Sequence, residues 1–476
     1  MIAYTIGRIL IIVAAAMMIP LVLSLFFDEG IASAYLIPIL LSLAIGAAVS
    51  IKPPENKSMF VREGMVIVGL SWIIISIIGG MPFFISRQIP NAVDCFFETV
   101  SGFTTTGSTI LSDVESMSKS LLFWRSFTHW LGGMGVLVFA MAIFSSKDTR
   151  ATYMMKAEMP GPVVGKLTSK WQFSARILYI IYVALTVLEI VFLIFGGMPV
   201  FDSIVHTFGT AGTGGFGIKN TSIAYYNSAY IDYVIGIFMV LFGLNFNIYF
   251  LLLMRKFANL KHEDEMKWYI GIVLLASVVI AFNIMPLYHT FAKSFRYSFF
   301  QVSSIMTTTG YATADYCTWP MLSQVILVLL MIIGACAGST GGGIKVIRFI
   351  ILLKVAKRAV RKAASPRSVF SVNTAGKTVE WEILNGVLAY FVIYIIFMGV
   401  SILLVSLDNK DLATTVTSVI ATMNNIGPGL GEIGPTGNFA DFSILSKLVM
   451  SIDMLVGRLE FYPILILFSP YVWKKS

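Results

Sequence analysis

The amino-acid sequence predicts an all-α, polytopic membrane protein with a four-fold internal repeat, and three observations carry the prediction. Apolar residues fill 57% of the 476 positions and charged residues only 12%. A soluble domain carries roughly 25% charged residues, so this chain has too little polar surface to face water on all sides. Its mean hydropathy is +0.83. A bilayer crossing needs about 20 mostly apolar residues, and the clearest apolar windows are Ile2–Phe27, Ile31–Ile51, Gly64–Gly80, Leu121–Phe144, Ile177–Phe195, Tyr230–Met254, Trp268–Met285, Ser323–Ile333, Ile383–Leu407 and Ile444–Phe468. A glycine-centred motif recurs four times at matched places between them.

The first two windows, within residues 1–51, read as a helical hairpin outside the repeat. The first is long and no small-residue cleavage pattern follows it, so it reads as a retained helix. Basic residues then cluster in alternate loops: Lys52, Lys57 and Arg62; Lys147 to Arg176; Arg255 to Lys267; Lys345 to Lys377; and Lys474 with Lys475. The loops between hold only Arg87, Lys119, Lys219, Lys293, Arg296 and Lys410. Lys and Arg accumulate on the cytoplasmic side of membrane proteins, which puts both termini in the cytoplasm. The formal charge of +9 is thus read through topology and attraction to anionic lipid, not through nucleic acid. Cys95, Cys317 and Cys336 are far apart and form no CxxC pair, so neither a disulfide framework nor a zinc site is expected.

The loops on the other side, Pro90–Ser120, Gly196–Ala229, Pro286–Leu322 and Asp408–Ser443, each open with an apolar, helical stretch and turn rich in Gly and Thr. Each is too short and interrupted to span twice. A half-membrane helix with an extended return fits, and such backbone is tolerated only where it lines a water-filled path or is buried in protein. The returns align as ETVSGFTTTGST on Gly107, HTFGTAGTGGFG on Gly214, QVSSIMTTTGYA on Gly310 and SVIATMNNIGPG on Gly427. The predicted unit is helix–pore helix–filter–helix, four times around a central pore, over residues 52–150, 151–260, 261–365 and 366–476.

The chemistry accounts for the pattern. A cation crossing a bilayer must exchange its water shell for other oxygens, and rings of backbone carbonyls supply them in K⁺ channels. A strand that aims successive carbonyls at one axis needs a residue tolerant of φ > 0, which is glycine. Threonine adds a hydroxyl oxygen, and the half-helix points its partially negative C-terminus at the axis. An intramembrane enzyme would need catalytic groups gathered at one depth. His129, His206, His262 and His289 are scattered, Glu98, Glu189 and Asp453 look isolated, and no HExxH or GxSxG motif occurs.

Beyond the four returns, the chain contains FWRSFTHWLGGMG (Phe123–Gly135), AEMPGP (Ala157–Pro162), GACAGSTGGGIKVIR (Gly334–Arg348) and GRLE (Gly457–Glu460). With these it resembles, over nearly its whole length, the Trk/Ktr/HKT superfamily of K⁺ transporters, in particular the TrkH/TrkG branch. The resemblance implies K⁺ uptake across a prokaryotic plasma membrane, with K⁺ as the transported ion and no organic cofactor in this chain. It implies K⁺ coordination by Thr105, Thr106 and Gly107, by Gly212, Thr213 and Gly214, by Thr308, Thr309 and Gly310, and by Asn425, Ile426 and Gly427. Some family members with serine at the first filter glycine favour Na⁺; Gly107 is kept here, which tilts the reading to K⁺. Gly212 and the NNIG of the fourth segment make the ring unequal, so looser selectivity than in a symmetric channel is expected. A Na⁺-selective or ion-coupled transporter of the same fold is the alternative.

Gly334–Gly343 holds five glycines, each costing a helix roughly 1 kcal/mol relative to alanine, so the third repeat's last helix is expected to unwind there. The resemblance makes this stretch an intramembrane gate below the filter, over Gly338, Ser339, Thr340, Gly341, Gly342 and Gly343, with Lys345 and Arg348 at its exit. GGMG at Gly132–Gly135 reads as close helix packing. Arg458 lies inside the last apolar window, where charge faces a cavity or a partner; a local pair with Asp453 or Glu460 is one reading, and the resemblance makes it a pore-facing barrier or gate partner. No P-loop or Rossmann fingerprint is present. The family implies a soluble, nucleotide-binding, TrkA-like regulatory subunit beneath the membrane, for which Lys354–Lys377 is a plausible dock, and a homodimer.

Overall fold

The structure, a computed structural model, describes residues 2–51, 61–135, 171–256, 263–367, 371–374 and 377–470. AEMPGP, His262, Lys474, Lys475 and most of the first and second basic clusters lie outside these residues. Helices α1 (Ile2–Phe26) and α2 (Ala32–Ser50) form the expected hairpin. It packs against the first of four units, α3 (Val61–Ile85), α4 (Ala92–Phe103) and α5 (Lys119–Gly133). The second unit is α6 (Trp171–Phe195), α7 (Val200–Gly212), α8 (Ala229–Phe242) and α9 (Phe246–Leu253). The third is α10 (Asp264–Tyr288), α11 (Phe291–Met306), α12 (Met321–Ile333) and α13 (Val346–Ala364). The fourth is α14 (Trp381–Val405), α15 (Leu412–Met423), α16 (Ile444–Arg458) and α17 (Tyr462–Leu465). A small antiparallel hairpin, Asn373–Thr374 with Lys377–Thr378, joins α13 to α14.

Among the described residues α1, α2, α3, α6, α10 and α14 contain stretches long and apolar enough to cross a membrane. Their outward faces stay apolar: Leu275 is 67% exposed and Leu403 is 71% exposed, surface that is costly to leave in water and suits a lipid environment. The chain is therefore a multi-pass membrane protein. The half-helices α4, α7, α11 and α15 have 12, 13, 16 and 12 residues, about 18–24 Å at 1.5 Å per residue, short of the ~30 Å hydrocarbon core. Side-chain oxygens of Asn91, Thr290 and Asp411 accept from Val93 N, Lys293 N and Thr414 N and so cap three of them; an N-cap satisfies amides that have no intrahelical partner.

Three predicted spans are not continuous helices. Tyr230–Met254 bends by 90° between α8 and α9. The carbonyl of Gly338 takes the Phe246 amide there, and the Asn245 side chain caps α9. Ile444–Phe468 breaks after Arg458, where Glu460 and Phe461 both have positive φ and Pro463 stands in the first turn of α17, where its missing amide hydrogen costs no helical bond. In Leu121–Phe144 the helix ends at Gly133, and residues 136–144 lie outside those described. The third unit breaks where expected, with irregular backbone between Ile333 and Val346.

The units close on themselves. α5 packs on the next unit's half-helix α7, α8 on α11, α12 on α15, and α16 back on α4. The C-terminal ends of the four half-helices therefore converge on one ring.

Candidate functional site

Each half-helix ends in the same backbone turn. Thr105, Thr213, Thr308 and Asn425 are left-handed, with φ of 56°, 54°, 61° and 56°. Two residues on, Gly107, Gly215, Gly310 and Gly427 have φ of 82°, 75°, 86° and 99°. The amides between repeat as well: Thr106, Gly214, Thr309 and Ile426 donate to Ser101, Gly209, Ser304 and Ala421. This corrects the register of the second segment by one residue. Gly215, not Gly214, is the counterpart of Gly107; Gly214 takes the middle place, and Gly212 is the last residue of α7. The three-residue segments are Thr105–Gly107, Thr213–Gly215, Thr308–Gly310 and Asn425–Gly427.

The segments touch in cyclic order. A Cβ on Gly107 would overlap the Gly214 carbonyl, one on Gly215 the Thr309 carbonyl, and one on Gly310 the Ile426 carbonyl. One on Gly427 would stand 2.8 Å from the Thr106 carbonyl, closing the circle. Positive φ and close approach both demand glycine at these four places. A cavity opens above the ring, lined by Gly107, Gly215, Gly310 and Gly427 together. Thr105 Oγ1 and Asn425 Oδ1 are buried in the ring without a hydrogen-bond partner. Among the described residues no His, Cys, Asp or Glu cluster suits a metal ion.

Side chains behind the ring hold its shape. Thr104 and Thr106 pair through their hydroxyls at 2.8 Å, as do Thr307 and Thr309. Asn425 Nδ2 donates to Thr106 Oγ1 and to the Met454 carbonyl, both at 2.9 Å. The Tyr311 hydroxyl donates toward the His206 and Phe216 carbonyls at 2.9 and 3.0 Å, and that of Tyr316 to the Gly429 carbonyl at 2.9 Å. Glu98 is not isolated. It accepts from Arg125 Nε at 2.6 Å and from the Thr109 hydroxyl and Ile110 amide at 3.0 Å each. Arg125 also donates to the Gly217 carbonyl at 3.0 Å and lies over the Phe216 ring at 3.5 Å. A charged residue inside FWRSFTHW was the signal for this network, since intramembrane charge seeks a partner. The Glu98 partner, 27 residues away, had none.

Gly334–Lys345 lies directly against the ring. The Gly342 amide donates to Thr308 Oγ1 at 2.6 Å. A Cβ on Gly341 would be 2.8 Å from the Thr307 carbonyl, and one on Gly342 would overlap the Asn424 carbonyl. Gly338 and Gly343 have positive φ, and so does Lys345 at 84°. Ser339 Oγ donates to the Cys336 carbonyl at 2.6 Å, and Lys345 Nζ donates to the Gly341 carbonyl. Arg458 reaches the Thr340 carbonyl and those of Gly132 and Gly133, each at 2.6 Å. Glu460 instead pairs in bidentate fashion with Arg348 at 2.8 and 2.5 Å, and Asp453 accepts from Ser401 at 2.6 Å. The GGMG glycines do pack closely: a Cβ on Gly132 would overlap the Phe103 carbonyl, and one on Gly133 would be 2.7 Å from the Gly212 Cα. Their carbonyls also anchor Arg458. Glu265, which carries no sequence signal, accepts from Ala337 at 2.8 Å and Ile347 at 3.1 Å and so spans the loop's two ends.

The TrkH family, described as a cation transport protein, matches residues 32–475. The Trk system potassium uptake protein TrkH of Salmonella typhimurium is 35% identical over 479 residues, covering 99% of this chain and 98% of that protein. The Trk system potassium uptake protein TrkG of Escherichia coli is 34% identical over 473 residues, covering 98% and 97%. The crystal structure of the potassium transporter TrkH from Vibrio parahaemolyticus matches with a TM-score of 0.89 at 30% identity, covering 99% of each chain. A ring of four glycine turns, one per repeat, is thus joined to full-length similarity in sequence and in structure: the chain belongs to the TrkH family of cation transport proteins.

Proposed function

We propose that the chain takes up K⁺ across the plasma membrane through the four-segment ring, with the Gly334–Lys345 loop as its gate. The observation that carries this is the closed circle of contacts in which the carbonyls of Gly214, Thr309, Ile426 and Thr106 each stand against the preceding segment's glycine, Gly107, Gly215, Gly310 and Gly427 in turn. K⁺ is the ion for which the relatives are named. Carbonyl oxygens replacing a hydration shell are the chemistry such an ion needs. The K⁺ ligands come from Thr105–Gly107, Thr213–Gly215, Thr308–Gly310 and Asn425–Gly427. Membership in a family of cation transport proteins sets aside the intramembrane enzyme.

The gate reading is supported by the loop's contact with Thr308 on one side and Arg458 on the other. A cation leaving the ring meets the loop and then a guanidinium, so both must move or be neutralised for conduction. Arg348 and Glu460 tie the loop's exit to the break between α16 and α17. The relatives' names place them in a Trk system. This chain works with a further component of that kind, a soluble nucleotide-binding subunit, and as a homodimer. The basic end of α13, with Lys357, Arg358 and Arg361, is its dock, on the cytoplasmic side where both termini lie.

The test is K⁺, Rb⁺ and Na⁺ flux into liposomes carrying the purified protein, with Gly107→Ser alongside. Gly107 has φ of 82° and no room for a Cβ beside the Gly214 carbonyl, so serine forces the ring open at a cost of order 1–3 kcal/mol. K⁺ and Rb⁺ are expected to pass faster than Na⁺, and the substitution to erode the preference. Flux whose selectivity ignores Gly107→Ser would sink the filter assignment.

A further inference from the structure

The second filter segment differs from the others in what stands behind it. In the first and third segments, the residues on either side of the left-handed one, Thr104 with Thr106 and Thr307 with Thr309, are threonines whose hydroxyls pair. In the fourth they are Asn424 and Ile426, both buried. In the second both are glycine, Gly212 and Gly214. A strand bare of side chains at these two places has the most backbone freedom to lose; of its own side chains only the Thr213 hydroxyl holds a carbonyl, that of Gly212 at 2.6 Å, and none holds that of Gly214.

His129 fills that space. It lies on α5, which packs against α7. Its imidazole Nδ1 stands where a Cβ of residue 214 would be, and its main-chain carbonyl stands where a Cβ of residue 212 would be. The ring is wholly buried and meets Phe216 edge-on, with centroids 4.1 Å apart. Neither ring nitrogen has a hydrogen-bond partner. Plain packing would be met by leucine without leaving two polar atoms unpaired. One turn earlier on the same helix, Arg125 holds the Gly217 carbonyl, so α5 supports this strand at two heights.

We propose that His129 is a positioning residue of the ion filter: its imidazole replaces the side chain missing behind Gly214, fixes the direction of the Gly214 carbonyl, and so sets ion discrimination. The relation is a steric complement between one imidazole and one absent side chain. It is therefore testable by exchange. A threonine at 214 needs the imidazole gone, and the imidazole needs residue 214 bare.

The inference rests on the filter reading above, and Gly107→Ser in the same assay separates the two. The measurement is the ratio of Rb⁺ to Na⁺ flux into liposomes for the parent, His129→Ala, Gly214→Thr and the double variant. A ratio does not change with the amount of folded protein. His129→Ala is expected to lower the ratio about tenfold, equivalent to ~1.4 kcal/mol of discrimination. Gly214→Thr alone lowers it as well, because its side chain overlaps the imidazole. The double variant returns to within about threefold of the parent, as coupled contacting residues do. If alanine prevents folding, His129→Met fills the volume without the ring and must lower the ratio likewise. A parental ratio in His129→Ala, or a double variant no better than the poorer single, overturns the proposal. If Gly107→Ser erodes the ratio in the same series, the filter reading survives that failure.

Discussion

Replacing Arg458 with methionine probes the gate through a single bond. Among the described residues the guanidinium makes three hydrogen bonds of 2.6 Å to carbonyls, and of these the one to Thr340 reaches the loop. The bonds to Gly132 and Gly133 hold the arginine itself and do not distinguish a closed loop from an open one. A hydrogen bond from a charged donor contributes about 1.5–3 kcal/mol. Its loss should therefore raise the open population relative to the closed one by roughly 10- to 150-fold. Removing a positive charge from the path adds to cation flux, so about tenfold is the lower expectation. The assay is initial Rb⁺ influx into liposomes, without any partner protein, normalised to inserted protein. An influx equal to or below the parent's, at unchanged ion preference, would show that the Arg458–Thr340 bond does not hold the loop closed.

Two further outcomes are expected. Arg125→Met leaves Glu98 buried without its cation; breaking a buried pair from one side costs about 3–5 kcal/mol, so the melting temperature in detergent should fall. Adding Glu98→Gln should recover part of the loss, and no recovery would show that the pair is not the element at stake. In the loops above the ring, Glu115 is held below the ordinary carboxylate value by the Lys219 ammonium and then the Asn220 amide, and Asp113 is held down by the Asn220 side chain. A depressed carboxyl stabilises the fold above its unfolded value and loses that contribution as pH falls through the lower folded value. Hydrogen exchange of residues 109–117 and 217–221, corrected for the intrinsic rate, should therefore be level between about pH 7 and 5 and loosen only below about pH 4. Loosening already at about pH 6 would contradict this account.

Much of the architecture was legible because it is written locally. A half-helix too short to span, followed by Thr and Gly, announces a re-entrant return without any knowledge of its neighbours, and the four returns announce each other. What was not legible depended on contacts between units. TGG at Thr213–Gly215 offers two glycines, and only the hydrogen bond from the Gly214 amide to Gly209 and the φ of 75° at Gly215 show which one turns. Arg458 bonds to carbonyls, which every residue carries, so no side chain in the sequence marks Gly132, Gly133 or Thr340 as its partners. Pro463 does not mark the break after Arg458, because Pro20, Pro38, Pro82 and Pro286 all lie inside continuous helices. The bend at Gly243–Asn245 is imposed by a carbonyl from Gly338 in the next unit. His129 could not be read as a filter residue, because the reason for its position is the absence of side chains on another helix.

Because the ring closes within one polypeptide, any substitution alters a quarter of it. In an assembly of four identical subunits every change is applied four times over, and a mild defect is raised to its fourth power before selection meets it. Here each quadrant drifts on its own, with three unaltered neighbours to keep the passage working meanwhile. The inequality of the four segments is then a record of separate histories. Thr–Thr in two quadrants, Asn–Ile in another, and two glycines backed by a borrowed imidazole in the last are different solutions to one geometric demand, reached one quadrant at a time.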